Sequence, residues 1–249
     1  MKKSAAIRDL HRRLDAQAVR KTKDWWEAYM RYAIPFRGVG IPAIRETLVE
    51  WRTDWGLHER SPSEQLLTAS TLFEGEYTED KLSGILYMQD NLLDTVRWKT
   101  LVACISGIFG KKLIFDWNTC DWLCVRILGP LIDLHGMECA RRIGSWSSAR
   151  YLWKARAAVV PFVKVAGQKK YHPVIRAACT NLIGRDERFA KTSVGWVLRD
   201  VSRSNLAMVR SFVRSHIGDF TTETIRNAIA YMPPKERHKL LTSYKRGSI

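Results

Sequence analysis

Apolar residues recur at helical spacing along nearly the whole chain, and no stretch alternates in the way a half-buried strand does. The punctuation agrees with that period. Ser61-Pro62-Ser63-Glu64 reads as a capping box with Pro at the first helical position, opening a helix through about Phe73. Pro42 opens another over 42–55, with Ile44, Leu48 and Trp51 on one stripe. Thr78-Glu79-Asp80 places acids at the start of a helix whose apolar positions are Leu82, Ile85, Leu86 and Leu93. Further helices are drawn at roughly 98–110, 117–134, 136–144, 148–164, 172–182, 187–202, 204–217, 221–231 and 234–246, with Gly110, Gly144, Gly167, Gly184 and Gly218 at or near their ends.

So many short helices with short connections predict an all-α chain of stacked antiparallel pairs. The later pairs recur at about 35–40 residues, the range of HEAT-like solenoids. The expected architecture is a right-handed superhelix of such pairs, with residues 1–249 as a single domain, because no long linker divides the chain. A compact bundle is the competing arrangement.

Charge narrows the partners. The chain carries 41 Lys and Arg against 25 Asp and Glu, a net +16. Residues 151–249 hold +13 of that excess, while 51–100 are net negative at −4. So lopsided a distribution attracts a polyanion, nucleic acid first and an anionic membrane second. The longest apolar run, over 157–163, is far below the roughly 20 residues of a membrane helix. The N-terminal Met1-Lys2-Lys3-Ser4 leads into charged sequence, not the apolar core of a secretory signal. A cytoplasmic protein, nucleoid-associated if bacterial, is expected.

The five cysteines, Cys104, Cys120, Cys124, Cys139 and Cys179, form no CxxC pair and are odd in number, which argues against a disulfide framework. Cys120 and Cys124 with His135 and Cys139 would be the only local metal set. Small buried hydrophobes are the better reading, so no metal or cofactor is called for. No phosphate loop, HExxH or nucleophile elbow is present.

Two segments stand out: Phe115-Asp116-Trp117-Asn118-Thr119-Cys120-Asp121-Trp122 and Ala190-Lys191-Thr192-Ser193-Val194-Gly195-Trp196-Val197-Leu198-Arg199-Asp200. Trp117 and Asp121 are four apart and share a helix face; Trp196 and Arg199 are three apart. Between them lies Lys154-Ala155-Arg156-Ala157-Ala158, an arginine in small apolar surroundings. Taken singly, each has a structural explanation, as core tryptophan or dipole-complementing carboxylate. Together and in this order, they resemble the AlkD-like DNA glycosylases, a HEAT-repeat family that excises N3- and N7-alkylated purines. The resemblance extends to Ala28-Tyr29-Met30 and Phe36-Arg37-Gly38-Val39-Gly40-Ile41-Pro42-Ala43-Ile44-Arg45, and runs from about Trp25 to Tyr231.

The resemblance implies that Asp121 is the catalytic aspartate, Trp117 its partner and Trp196 a second active-site tryptophan. It also implies backbone contacts to DNA from Arg156, Arg199 and Arg45, and an aromatic at the cleft border in Tyr29. Gly40 and Ile41 stand where some relatives present polar residues to DNA. The implied partner is double-stranded DNA containing alkylated purines, bound by a monomer with no cofactor. Such residue types suit that reaction. A carboxylate opposes charge developing on the sugar and positions water, and indole faces attract a cation. Two other readings share the same basic surface: a non-catalytic HEAT-repeat protein binding branched or damaged DNA, and a solenoid adaptor for an acidic protein.

Overall fold

The computed structural model describes residues 2–246, and among them every regular element is helical. The helices cluster into two compact units that divide between Ile127 and Leu128. The first holds α1 (Lys2–Asp15), α2 (Arg20–Tyr29), α3 (Ile41–Asp54), α4 (Pro62–Leu72), α5 (Thr78–Asn91), α6 (Trp98–Gly110) and α7 (Trp117–Leu123). The second holds α8 (Gly129–Gly144), α9 (Leu152–Arg156), α10 (His172–Ile183), α11 (Arg188–Val201), α12 (Leu206–Ser215), α13 (Thr222–Ala228) and α14 (Pro234–Arg246). No described helix is long and apolar enough to cross a membrane. The all-α class expected from the sequence is the one observed, and the described helices are consistent with HEAT-like packing.

In the first unit α5 is the central element. Every residue from Thr78 to Met88 is buried, and α5 packs against α3, α4 and α7. The capping box that opens α4 forms as its sequence dictates. Glu64 N donates to Ser61 Oγ, and Ser61 N donates to Glu64 Oε2 at 3.0 Å. On α3 the predicted stripe of Ile44, Leu48 and Trp51 is buried, and the Trp51 indole N–H reaches Ala6 O of α1 at 2.7 Å. Helices α1 and α2 were not drawn from the sequence. For α2 the large side chains are the aromatics Trp25, Trp26 and Tyr29 set among charged residues, without the aliphatic stripe that marks α3, and none of its residues is fully buried.

In the second unit α11 is central, packing on α9, α10 and α13. The continuous helix expected over 148–164 does not form. The chain instead makes the single-turn α9, breaks, and resumes as a 3-10 turn over Val160–Lys164. Pro161 is the reason, since it supplies no N–H and its ring opposes the carbonyl one turn back. The apolar side chains released from helical spacing fill the core: Ala155, Ala157, Ala158, Val159, Val160 and Phe162 are all buried. The helix expected over 117–134 likewise divides, α7 running into a π-helical turn at Cys124–Leu128 before α8. A backbone break within α8 falls at Gly136, where φ is +71°, next to the boundary read from the sequence.

Candidate DNA-processing residues

Helix α7 carries Trp117 and Asp121, and a buried carboxylate fixes where it begins. Asp116 caps the helix, accepting from Thr119 N at 2.9 Å and from the Thr119 hydroxyl. Burial pushes the Asp116 carboxyl above the usual range, opposed by the Thr119 hydrogen bonds, the Asn118 backbone N–H and the Lys81 ammonium. Lys81, buried on α5, donates to Phe73 O at 2.9 Å and Gly75 O at 3.0 Å. Its own pKa is pulled down by burial, with Asp116 and Asp80 acting the other way. The start of α7 is thus tied to the middle of the unit.

From that anchor Trp117 lies at the first helical position, half-buried, and packs with Trp26 on a cluster of Met30, Ile34 and Phe36. Tyr29 meets Trp117 edge to face, with centroids 5.7 Å apart and planes at 72°. Asp121 follows one turn on, also half-buried. The structure therefore brings three of the expected residues, Tyr29, Trp117 and Asp121, into one region of the first unit. Arg45 is held elsewhere, in an ion pair with Asp90 and a 3.1 Å hydrogen bond to Gln89 Oε1 at the end of α5.

The floor under Trp117 depends on groups that sequence reading took for helix-dipole complements. Glu79 is 1% exposed. One carboxylate oxygen accepts from Gly38 N (2.8 Å) and Val39 N (3.1 Å), the other from Arg37 N (2.9 Å). Asp80 binds the Arg37 guanidinium at 2.6 Å, Asp15 binds it at 2.7 Å, and Tyr77 lies beneath it with the centroid 4.1 Å away. The Phe36–Val39 stretch of the resemblance is therefore a structural clamp between the loop before α3 and the start of α5. Gly38 has φ +94°, and a Cβ there would run into Val19 O and lie 2.8 Å from Lys23 N. Gly38→Ala is expected to destabilise by about 3 kcal/mol through backbone strain and overlap. An unchanged midpoint in thermal unfolding would contradict this.

In the second unit Arg156 ends α9, is 4% exposed, and donates from Nη1 to Phe189 O at 2.6 Å and to Thr192 Oγ1 at 3.3 Å. Both acceptors belong to the first turns of α11. Thr192 and Trp196 are one turn apart on that helix, so the bond orients the guanidinium toward the face bearing the half-buried Trp196. Arg199 bonds Asp200 Oδ1 at 3.0 Å and reaches Asn227 Oδ1 of α13 at 3.5 Å. Gly195 makes this pairing of helices possible, for a Cβ would stand 2.8 Å from Thr224 O.

The cysteines are packing residues. Cys120, Cys124, Cys139 and Cys179 are buried and Cys104 is partly so. Burial pushes the Cys139 thiol up to about 12, with Glu138 adding to the shift, and it raises Cys104 and Cys179 as well. Two functional features escaped the sequence reading. Asp116 as a cap was signalled by an acid preceding the helix with Thr three positions on. The three-way bond of Glu79 to a distant loop had no local signal.

The described residues form an all-helical protein whose first unit sets the Tyr29 ring against that of Trp117, on the helix that carries Asp121. The family model for DNA alkylation repair enzymes matches residues 10–232, on both sides of the division between the units, and the chain belongs to that family. Among solved structures it is similar in fold to a predicted DNA alkylation repair enzyme from Enterococcus faecalis. That likeness has a TM-score of 0.74 at 17% identity, over 88% of this chain and 98% of that one. No match is found among curated protein sequences. The family gives the chain an enzymatic role in alkylation repair, with DNA as its substrate.

Proposed function

We propose that the chain is a monofunctional DNA glycosylase that hydrolyses the N-glycosidic bond of cationic N3- and N7-alkylated purines in duplex DNA. The observation that carries this reading is the fixed pairing on α7. The Trp117 indole is braced by Tyr29 and the Met30–Ile34–Phe36 cluster, with the Asp121 carboxylate one turn away. A carboxylate beside an aromatic face is poorly suited to gripping phosphates, which it repels, and well suited to a sugar that becomes positive.

In this mechanism the alkylated purine already carries a positive charge, so its C1′–N bond breaks with the electron pair leaving on the base. The deoxyribose becomes oxocarbenium-like. Asp121 opposes that charge and orients a water, whose oxygen bonds to C1′ and whose proton is released. Neutral base and an abasic site remain. Trp117 contributes about 0.5–2 kcal/mol of cation–π attraction that grows as the charge develops, which lowers the barrier because the ground state gains less. Of the second unit's residues, Trp196 is assigned as a second active-site tryptophan whose indole face meets the sugar, and Arg156 and Arg199 are assigned to phosphates, where a guanidinium bonds in bidentate fashion. Arg45, paired with Asp90, would exchange that partner for a phosphate on binding. The reading takes the chain as one domain acting as a monomer, with no cofactor.

Release of 7-methylguanine and 3-methyladenine from methylated duplex, with an intact strand left behind, is the test. No release of either base would leave two readings, an enzyme specialised for bulkier alkyl adducts and the non-catalytic DNA-binding alternative. Selectivity in this scheme comes from the lability of the bond, so hypoxanthine, an uncharged base, is expected to be released at least about 100-fold more slowly than 7-methylguanine. Comparable rates for the two would refute the scheme.

A further inference from the structure

Helix α2 is unusual in this chain because none of its residues is buried, yet it carries two of the most exposed large aromatics. Trp25 is 58% and Tyr29 55% exposed, and Tyr32, just beyond the helix, is 75% exposed. Trp25 and Tyr29 are four residues apart and their rings lie parallel, 5° between planes and 5.3 Å between centroids. Trp26 stands perpendicular to both and fixes the pair from the side, while its own ring stacks on Phe36. Core packing does not account for rings exposed to this extent and held parallel, since neither is buried.

The neighbouring charge and backbone point the same way. Lys21 and Arg31 are exposed on either side of the pair in sequence, Arg20 is exposed and lies 3.7 Å from Asp24, and Lys23 lies 3.9 Å from Glu27. At the end of α2, Arg31 and Tyr32 adopt φ of +52° and +56°, a left-handed conformation that residues with a Cβ rarely take, still less twice in succession. Such strain collects at functional surfaces. Here it directs Arg31 and Tyr32 outward from a turn that begins where the helix bonds end, with Tyr32 N on Glu27 O at 2.8 Å.

We propose that the Trp25–Tyr29 stack is a platform for an unpaired nucleobase of DNA, so that this face of α2 takes up a base that has left the duplex stack. The outer face of Trp25 matches a base in size and polarity. Stacking is tolerant of sequence, and the surrounding cations suit the flanking phosphates. The inference rests on the reading that duplex DNA is bound, and adds to it a site for a base that no paired duplex offers. It assigns no chemistry to Trp25.

The test measures affinity for a paired duplex and for the same duplex carrying one unpaired adenine, using wild type, Trp25→Ala and Trp25→Phe. Wild type is expected to prefer the bulged duplex about tenfold, Trp25→Ala to lose that preference, and Trp25→Phe to keep part of it. Binding of the paired duplex should stay within a factor of two, since no α2 residue is buried and the variants keep the fold. Equal affinity of wild type for the two duplexes, or a preference that survives Trp25→Ala, overturns the platform. So does a Trp25-dependent attachment to phosphatidylserine vesicles in place of the bulged duplex. Base release is scored separately. A lost platform with release intact leaves the glycosylase reading standing, and Trp25-dependent bulge binding without release supports the platform alone.

Discussion

Asp121→Asn is expected to lower 7-methylguanine release by about 100- to 1,000-fold, the range typical of removing one electrostatic stabiliser from a transition state. The substitution is nearly isosteric and removes only the charge and the proton-accepting capacity. Asp121 lies on the half-buried face of α7, next to the residues that open its π-helical turn, where a change of volume would be felt and a change of charge need not be. Affinity for undamaged duplex should persist or rise slightly, because a carboxylate that repels phosphates has gone. Single-turnover release and duplex binding measured on one preparation separate these effects. A variant that binds DNA normally and still releases base at the wild-type rate would remove Asp121 from the chemistry. It would also return Trp117 to a purely packing role on the Met30–Ile34–Phe36 cluster.

The second large effect is on stability. Glu79→Ala is expected to destabilise by about 3–5 kcal/mol, because three buried backbone N–H groups, those of Arg37, Gly38 and Val39, lose their acceptor together. For a chain of this length that corresponds to a fall of about 10 °C in Tm. Glu79→Gln keeps one carbonyl oxygen for the loop but turns an amide N–H₂ toward the remaining donors, so it should fall between wild type and Ala. The clamp lies next to Phe36, and Phe36 belongs to the cluster that supports Trp117, so base release should fall with the fold. Circular-dichroism melting checks this directly, and a loss under about 1 kcal/mol would show that water or relaxed geometry replaces the carboxylate.

Much of the architecture could be read before any coordinates. The capping box at Ser61–Glu64, the stripe of Ile44, Leu48 and Trp51, and the break at Gly136 are local features, set by residues within a few positions of one another. Where the reading failed, a local signal was weak or overridden. The apolar run around Pro161 has the look of a helix, but proline in a helix interior breaks it. Helix α2 offers a cluster of aromatics, Trp25, Trp26 and Tyr29, among charged residues and no aliphatic stripe, and only Trp26 among them packs on a core cluster.

The candidate chemistry divides along the same line. The four-residue spacing of Trp117 and Asp121 fixes their shared face on any helix, so that pair was available from the sequence. So was the character of the partner, through the positive charge concentrated in residues 151–249. Only the tertiary structure decided that Tyr29 braces Trp117, that Arg45 is committed to Asp90, that Arg156 is oriented by Phe189 O and Thr192, and that Glu79 holds a loop some forty residues away. Helical period, capping and net charge are properties of neighbours along the chain. Burial, and with it the partners of each ion and the exposure of each aromatic ring, depends on which distant segments come to lie against one another.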